Sequence, residues 1–329
     1  METAEKKVVL ITGSVQKEIV PALAPYFNVR QWRGDGVMPL TELEKQIGSA
    51  DALMLAYHSK LPAAVIAQGK QLHLIVQHFV GYEDVDIAAC TQYGIPFCNT
   101  ASASVHTVAE LAMALMFASS RHIVDCAGYV KNGGWRRREK YDFLYGFDIQ
   151  GSLLGVLGMG KIGYAIAQKA QGLVMKVLYH NRHRRCEWES NMLQYAALPE
   201  LYRQADVIIN VLPSNADTYH SVALASFRQM KHTALFINIG RGDTVVTADL
   251  ITALQTGEIG GAALDVAEQE PLPADHPLLQ LSNVIITPHI GSDTEKTRQR
   301  KSAIAIQNIF NCFSGKPLID CVNPEVWHS

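Results

Sequence analysis

The 329-residue sequence predicts an α/β protein built from two doubly wound parallel-sheet domains. Three observations carry that prediction. Short apolar runs alternate with helix-patterned stretches along most of the chain, as parallel strands buried on both faces require. The alternation falls into two series, one starting at residue 8 and one at Leu153, parted by a long apolar helix and a polar, aromatic stretch. The length also exceeds what one hydrophobic core usually serves.

In the first series, VVLIT reads as a strand and QKEIVPALAPYF as a helix. DALMLA is a strand, PAAVIAQG a short helix and LHLIVQ a strand. Helical spacing recurs in EDVDIAACTQYG, and IPFCN supplies another short strand. A long helix then runs from Thr107 to Val130 and stops at Asn132, Gly133 and Gly134, residues that end helices well. Within it, ELAMALMFA is apolar on every face, which suits a buried helix. WRRREKYDFLYGFDIQG has no periodicity and reads as an extended arm. The second series supplies six strands: LLGVLG, KVLYH, DVIINVL, ALFINI, GGAALDV and NVIITP. Six strands with helices between them match a dinucleotide-binding fold. From Thr294 onward one long helix and a tail follow, placed to cross back to the first domain.

Bulk properties narrow the function. Charged residues make up 18% of the chain and the net charge is -2, so neither nucleic acid nor an anionic membrane is an expected partner. Small anionic substrates need only a local positive site. The six cysteines form no C-x-x-C pair and no His cluster stands near them at zinc spacing, so no metal is expected. They read as reduced thiols of a cytoplasmic protein. METAEKKVVLITGS reads as the approach to a first strand rather than a signal peptide, and no apolar run reaches the ~20 residues that cross a bilayer.

The sharpest local signal is LLGVLGMGKIG, where Gly158, Gly160 and Gly163 have the spacing G-x-G-x-x-G. Alone the motif is weak. Here an apolar strand precedes it and a helical pattern follows, the context in which such a turn receives a dinucleotide pyrophosphate at a helix N-terminus. Chains that prefer NAD usually carry an acid about 20 residues later, to hold the ribose hydroxyls. This chain instead reads His180, Asn181, Arg182, His183, Arg184, Arg185. Neutral His180 and Asn181 fill the acid's slot. Arg182 is the best-placed cation for a 2′-phosphate, with Arg184 or Arg185 as helpers. The expectation is NADP(H) as preferred cofactor, with NAD(H) as the second that the fold accepts.

Three residues follow strand ends in the second series: Arg241 in INIGRGD, Glu270 in LDVAEQEPLP and His289 in ITPHIGS. In open α/β sheets, ligands bind beyond the carboxyl ends of the strands. Reduction of a 2-keto acid needs this combination of groups. A guanidinium grips the carboxylate, an imidazolium gives a proton to the developing alkoxide, and a carboxylate orients the imidazole and favours its charged form. Each residue taken singly has a bland surface reading. Their joint occurrence behind a nucleotide motif favours catalysis.

With LGMGKIG, LPSNADT, FINIGRGDTVV, GAALDVAEQEPLP and PHIGSDT in place, the chain resembles the D-isomer-specific 2-hydroxyacid dehydrogenase family over nearly its whole length. The arginine-bearing loop and the ending CVNPEV resemble its glyoxylate/hydroxypyruvate reductase (2-ketogluconate reductase) branch. The resemblance implies a flavodoxin-like substrate domain, residues 1–102 and 292–329, interrupted by a Rossmann cofactor domain, residues 103–291, with a cleft between them. It implies Arg241, Glu270 and His289 as the catalytic residues, and Asp265 as a ligand of the nicotinamide carboxamide. It extends the cofactor-binding set to Thr107, Met159, Lys161, Ile162, Asn181, Arg182, His183, Leu212, Pro213, Ile239, Gly240 and Gly291. Backbone N–H groups in HFVGYEDVD, at Phe79, Val80 and Gly81, would bind the substrate carboxylate. It also implies a homodimer formed through the long helix and arm, near residues 101 to 150.

Two departures bear on the pocket. Phe79 stands where many relatives have a small residue, and Ala267 where many have an aromatic one. The expected function is NADPH-preferring reduction of glyoxylate and hydroxypyruvate to D-2-hydroxy acids. A 2-ketogluconate or aryl-pyruvate reductase on the same machinery is the rival among enzymes. From another class, the rival is a nucleotide-sensing binding protein or corepressor, which would keep the glycines and lose the acid/base set.

Overall fold

A computed structural model describes residues 5–56, 59–136 and 145–327. The chain divides into two compact units, Met1–Ser104 with Asp293–Ser329, and Val105–Ser292.

In the first unit the elements run β1 (Val8–Ile11), α1 (Ile19–Leu23), β2 (Asn28–Gln31), α2 (Leu40–Ile47), β3 (Ala52–Leu55), α3 (Ala63–Ile66), β4 (Leu74–Gln77), α4 (Ile87–Gln92) and β5 (Phe97–Cys98). The five strands are all parallel, in the order β2-β1-β3-β4-β5, which is the flavodoxin-like winding. Two apolar clusters cover its two faces. Leu53 and Leu55 enter one cluster while Ala52 and Met54 enter the other, because side chains alternate along a strand. The helix expected over residues 16–27 is only Ile19–Leu23. Pro21 is tolerated in a first turn, but Pro25 has no N–H to continue the helix and disfavours helical backbone at Ala24. Two elements had no expectation. Strand β2 is an edge strand with alternating exposure, and α2 buries only Leu43 and Ile47, so neither writes a continuous apolar run.

The second unit opens with α5 (Val105–Ser120) and α6 (Ile123–Lys131). This corrects the single helix expected from Thr107 to Val130. The helix breaks at His122, whose φ of 48° lies in the left-handed region. Returning chain caps the break: Phe147 N–H donates to the Ser120 carbonyl at 3.0 Å, and a Cβ on Gly146 would lie 2.0 Å from that oxygen. Residues 137–144 of the expected arm lie outside the described residues. There follow β6 (Leu153–Leu157), α7 (Lys161–Gly172), β7 (Lys176–His180), β8 (Leu193–Tyr195), α8 (Leu198–Gln204), β9 (Val207–Asn210), α9 (Leu224–Phe227), β10 (Leu235–Asn238), α10 (Thr247–Gln255), β11 (Gly261–Leu264) and β12 (Val284–Ile286). All six expected strands are present. The short edge strand β8 makes seven, all parallel, in the order β12-β11-β10-β9-β6-β7-β8. Helices α5 and α7 cover one face, and α8, α9 and α10 the other. The strand order reverses between β6 and β9, which opens a crevice beyond their carboxyl ends.

The last helix, α11 (Glu295–Phe313), is capped by Thr294, whose hydroxyl accepts from Thr297 N–H at 3.2 Å. It packs on α1 and β4 of the first unit. Among the described residues, no helix is long and apolar enough to cross a membrane, and no group of His, Cys, Asp or Glu could hold a metal ion.

Candidate active site

The glycine turn lies in the crevice between β6 and β9. Gly158 has φ +97°, and a Cβ there would stand 3.1 Å from the Val211 carbonyl oxygen, so the turn admits only glycine. A Cβ on Gly163 would come within 2.2 Å of the Gly158 oxygen, so α7 can press on the turn only without one. Gly160 differs. Its backbone, φ -91° and ψ -165°, suits any residue, and a Cβ there would meet nothing within 4 Å. Nothing inside the protein asks for glycine at this position. A group approaching from outside does. Gly160 is also the N-cap of α7 and brings no side chain to its unpaired N–H groups. The cradle therefore fits a pyrophosphate, which would hold its oxygens on those N–H groups.

At the end of β7 the expected cations separate into different roles. The His180 carbonyl accepts from Gly158 N–H at 3.0 Å, and its ring Nδ1 pairs with the Ala196 carbonyl at 3.0 Å. Asn181 Oδ1 accepts from Met159 N–H at 3.3 Å while its Nδ2 donates to the His183 carbonyl at 2.9 Å. Asn181 thus ties the glycine turn to the β7 loop. Arg184 forks onto Glu189 at 2.7 and 2.6 Å and lies over the Tyr195 ring. The Arg185 guanidinium lies over Trp188. Arg182 makes one exposed pair, at 3.1 Å, with Asp217 in the loop after β9.

Around the crevice, Met159 is buried and Lys161 opens α7 on the surface. Ile162 packs partly buried against the core. Thr107 is buried in the first turn of α5. Leu212 and Pro213 follow β9, and Ile239 and Gly240 follow β10. A Cβ on Gly240 would sit 2.6 Å from the Leu212 oxygen, so these two loops touch.

Beyond β10, β11 and β12 the expected catalytic residues come together. His289 Nδ1 lies 2.8 Å from Glu270 Oε2, with each side chain about 40% exposed. The other Glu270 oxygen accepts from Ala267 N–H at 2.9 Å. The hydrogen bond with Glu270 lifts the His289 pKa above 6.5, against burial and the nearby Arg241 charge. Burial works to raise the Glu270 pKa, but the His289 hydrogen bond, the Ala267 N–H and the charges of His289 and Arg241 take it below 4.5. With Nδ1–H given to Glu270, the imidazole leaves Nε2 for chemistry. The neighbouring Glu268 is taken: it pairs with His220 at 2.8 Å and accepts from Thr247 N–H.

Two supports of this cluster come from the structure, one from residues the sequence did not mark and one from Asp265, expected only as a ligand of the carboxamide. Asn238 Nδ2 and the Thr244 hydroxyl both donate to the Arg241 carbonyl, at 3.1 and 2.7 Å. Asn210 Nδ2 in turn reaches Asn238 Oδ1 and Thr244 Oγ1 at 3.2 and 2.7 Å. Buried polar residues closing the apolar runs DVIIN and LFIN were the available signal. A Cβ on Gly242 would fall 1.9 Å from the Ala267 oxygen, so the loop behind Arg241 rests on the loop leading to Glu270. The second support is Asp265. Its carboxylate accepts from the Thr287 hydroxyl at 2.6 Å, Ile290 N–H at 2.9 Å and Gly291 N–H at 2.8 Å. It holds the loop on which His289 has a φ of 54°, a conformation costing a non-glycine residue roughly 1–3 kcal/mol unless its surroundings impose it.

In the first unit, the loop after β4 carries Phe79, Val80 and Gly81. Thr100 N–H donates to the Phe79 carbonyl at 3.3 Å, Asn99 Nδ2 to the Val80 carbonyl at 2.9 Å, and Gln77 Nε2 to the Gly81 carbonyl. Across a trans peptide the next N–H points opposite to the carbonyl. Tying the Phe79 and Val80 carbonyls therefore turns the Val80 and Gly81 N–H groups the other way. The Phe79 ring meets the His78 ring edge-on, and Lys301 Nζ lies 5.9 Å from its centroid.

Comparison with known proteins follows the same lines. The model of the D-isomer specific 2-hydroxyacid dehydrogenase NAD-binding domain matches residues 113–291. The chain is 38% identical to glyoxylate/hydroxypyruvate reductase B of Enterobacter sp. (strain 638), over 98% of this chain and 99% of that protein. It is 32% identical to the glyoxylate reductase of Korarchaeum cryptofilum (strain OPF8), over 97% and 96%. Among solved structures, the NADPH-dependent glyoxylate/hydroxypyruvate reductase of Sinorhizobium meliloti, in complex with NADP and malonate, superposes with a TM-score of 0.87 at 26% identity, covering 99% of both chains. The chain belongs to the D-isomer-specific 2-hydroxyacid dehydrogenase family and is a glyoxylate/hydroxypyruvate reductase-like, NAD(P)-dependent enzyme of it.

Proposed function

We propose that this enzyme reduces glyoxylate and hydroxypyruvate to D-2-hydroxy acids, with NADPH preferred over NADH. The observation that carries the reading is the 2.8 Å contact of His289 with Glu270, with Arg241 close enough for its charge to act on both. When bound, the nicotinamide supplies the hydride. In this reading Arg241 holds the substrate carboxylate through its planar fork, and Phe79, Val80 and Gly81 stay the substrate-binding residues that the family resemblance implies. His289, kept protonated by Glu270, gives the Nε2 proton to the oxygen that gains charge. Glu270 retains the Nδ1 proton, so the imidazole returns to one defined tautomer. Asp265, which already accepts from three donors, acts chiefly by holding the His289 loop, and its remaining acceptor site is where a carboxamide would hydrogen-bond. NADPH preference rests on Arg182 and on the neutral pair His180 and Asn181.

The test is NADPH and NADH oxidation against a panel of glyoxylate, hydroxypyruvate, 2-ketogluconate and phenylpyruvate. The reading expects the two small acids to have the highest kcat/KM. His289→Ala should cut kcat by about 10²- to 10⁴-fold with nucleotide affinity held. Near-normal turnover in that variant ends the assignment.

The same reading makes the enzyme a cytoplasmic homodimer. What supports the dimer is a set of exposed apolar residues on α5, α6 and the segment after it: Phe117, Ile123, Val124, Val130 and Trp135. Ile123→Lys with Val124→Glu should yield a monomer by sedimentation, and an unchanged dimer would exclude this face. All six thiols are free, which suits a reducing compartment.

A further inference from the structure

Three thiols gather where the C-terminal tail meets the first unit's sheet, and the proposed reaction uses none of them. Cys98 ends β5, and Cys321 faces it across an antiparallel bridge. Val322 N–H donates to the Phe97 carbonyl at 2.9 Å, and Asn99 N–H donates to the Asp320 carbonyl at 3.2 Å. These two bonds flank the cysteines, which therefore occupy a non-hydrogen-bonded cross-strand position. Opposed Cα atoms are about 4.5 Å apart at such positions, and both side chains leave the same face. A disulfide spans Cα atoms about 4.4–6.8 Å apart, so the backbone is already within range. The third thiol, Cys312 on α11, is turned away toward the His73 carbonyl at 3.5 Å.

We propose that Cys98 and Cys321 form a reversible cross-strand disulfide, and that closing it alters the loop holding Val80 and Gly81. Cys98 is fully buried, whereas Cys321 is partly exposed and open to attack on a small oxidant. The thiol of Cys98 hydrogen-bonds to Cys321, which holds the Cys321 pKa below its ordinary value and raises that of Cys98. The thiolate of Cys321 is the attacking group. With a small disulfide such as oxidised glutathione, it forms a mixed disulfide and releases one glutathione thiolate. Cys98 passes its proton to that thiolate and attacks the Cys321 sulfur, expelling the second glutathione. Two protein thiols lose two electrons, and one oxidant disulfide becomes two thiols.

Structural coupling runs through the next residue on each strand. Asn99, beside Cys98, holds the Val80 carbonyl at 2.9 Å. Asp320, beside Cys321, accepts from Ser102 N–H and hydroxyl at 2.8 and 2.5 Å. Opposed Cβ atoms on a ladder lie about 4.5–5.5 Å apart, and a disulfide draws them to about 3.8 Å. That movement is delivered to Asn99 and from it to Val80. Only the effect on substrate kinetics depends on the proposed function.

The full-length enzyme, reduced and then incubated with oxidised glutathione, decides the matter. Denatured thiol titration should fall from six to four, peptide mapping should link residues 98 and 321, and dithiothreitol should reverse both. Amide hydrogen exchange across residues 78–81 should change on oxidation, a readout that needs no turnover. KM for glyoxylate should shift by about 5-fold or more, within the usual range of coupling between sites, while NADPH affinity stays constant. Cys321→Ser, at a partly exposed position, and Cys98→Ala should each abolish the loss of two thiols and the exchange response. Six remaining thiols, a link to Cys312 or a stable glutathione adduct on Cys321 overturns the disulfide. A formed disulfide with unchanged exchange at 78–81 overturns the coupling. Absence of keto-acid turnover in the reduced parent would overturn the proposed function instead, and the thiol and exchange results would still stand.

Discussion

Replacing Arg182 with alanine is the perturbation that most directly probes cofactor choice. Arg182 Nη1 lies 3.1 Å from Asp217 Oδ2, and the two side chains are 74% and 73% exposed. Two unit charges at that separation in bulk water attract by about 1.3 kcal/mol. Side-chain entropy and salt bring the net value of such exposed pairs to about 0–1 kcal/mol. A 2′-phosphate on the same guanidinium forms charge-assisted bonds worth about 1.5–3 kcal/mol, so it displaces Asp217 with about 0.5–3 kcal/mol to spare. Arg182→Ala should therefore weaken NADPH binding roughly 2- to 150-fold and leave NADH almost unmoved. Asp217→Asn, which frees the arginine, should tighten NADPH binding by up to about 5-fold. That gain should shrink in the Arg182→Ala background. Fluorescence titration of both nucleotides at two salt concentrations measures this, and NADPH should be the more salt-sensitive. Equal loss of both nucleotides in Arg182→Ala refutes the reasoning, as does a parent that binds NADH as tightly as NADPH at low salt.

Other consequences follow from the same geometry. Because Glu270 raises the His289 pKa, reductive activity should hold below that pKa and fail above it, and Glu270→Gln should move the alkaline limb of the kcat profile to lower pH. A superimposable profile would separate the two residues. The pair also links stability to pH: the raised histidine contributes below 6.5 and loses its contribution as pH rises through its folded value, while the lowered carboxylate contributes above 4.5 and loses its own as pH falls through its folded value. The Tm deficit of Glu270→Gln should thus be greatest between those two ordinary values, and a deficit flat with pH would deny the linkage. Gly160→Ala should keep its Tm and lose both nucleotides, since the new Cβ meets no protein atom. Gly163→Ala should lose both and also unfold earlier, by about 1–3 kcal/mol, because its Cβ strikes the Gly158 oxygen at 2.2 Å; calorimetry that ranks them the other way contradicts the cradle. Arg241→Lys keeps the charge and loses the fork, so kcat/KM for glyoxylate should stay badly impaired while nucleotide binding survives.

Both sheets were legible as continuous apolar runs, because a strand buried on both faces has no reason to alternate. The strands β2 and β8 write no such run in the sequence, because edge strands carry polar residues at their exposed positions. The break at His122 was equally hidden. Local pattern continues as helix through Arg121, and among the described residues it is Phe147 and Gly146, distant in sequence, that pack against Ser120 at the break. At the site, the residue types that do chemistry stand out in sequence: the glycines at 158, 160 and 163, and Arg241, Glu270 and His289 in strand-end loops. Their supports do not, since Asn210, Asn238, Thr244 and Thr287 are ordinary polar residues until the fold brings them into contact. The run of arginines after β7 makes the same point. By itself the sequence determined that positive charge replaces the usual acid there. Only the tertiary structure decided that Glu189 engages Arg184, that Arg185 lies over Trp188, and that Arg182 pairs with the exposed carboxylate of Asp217. Charge and residue type are local properties, whereas a partner's position depends on how distant strands and loops pack.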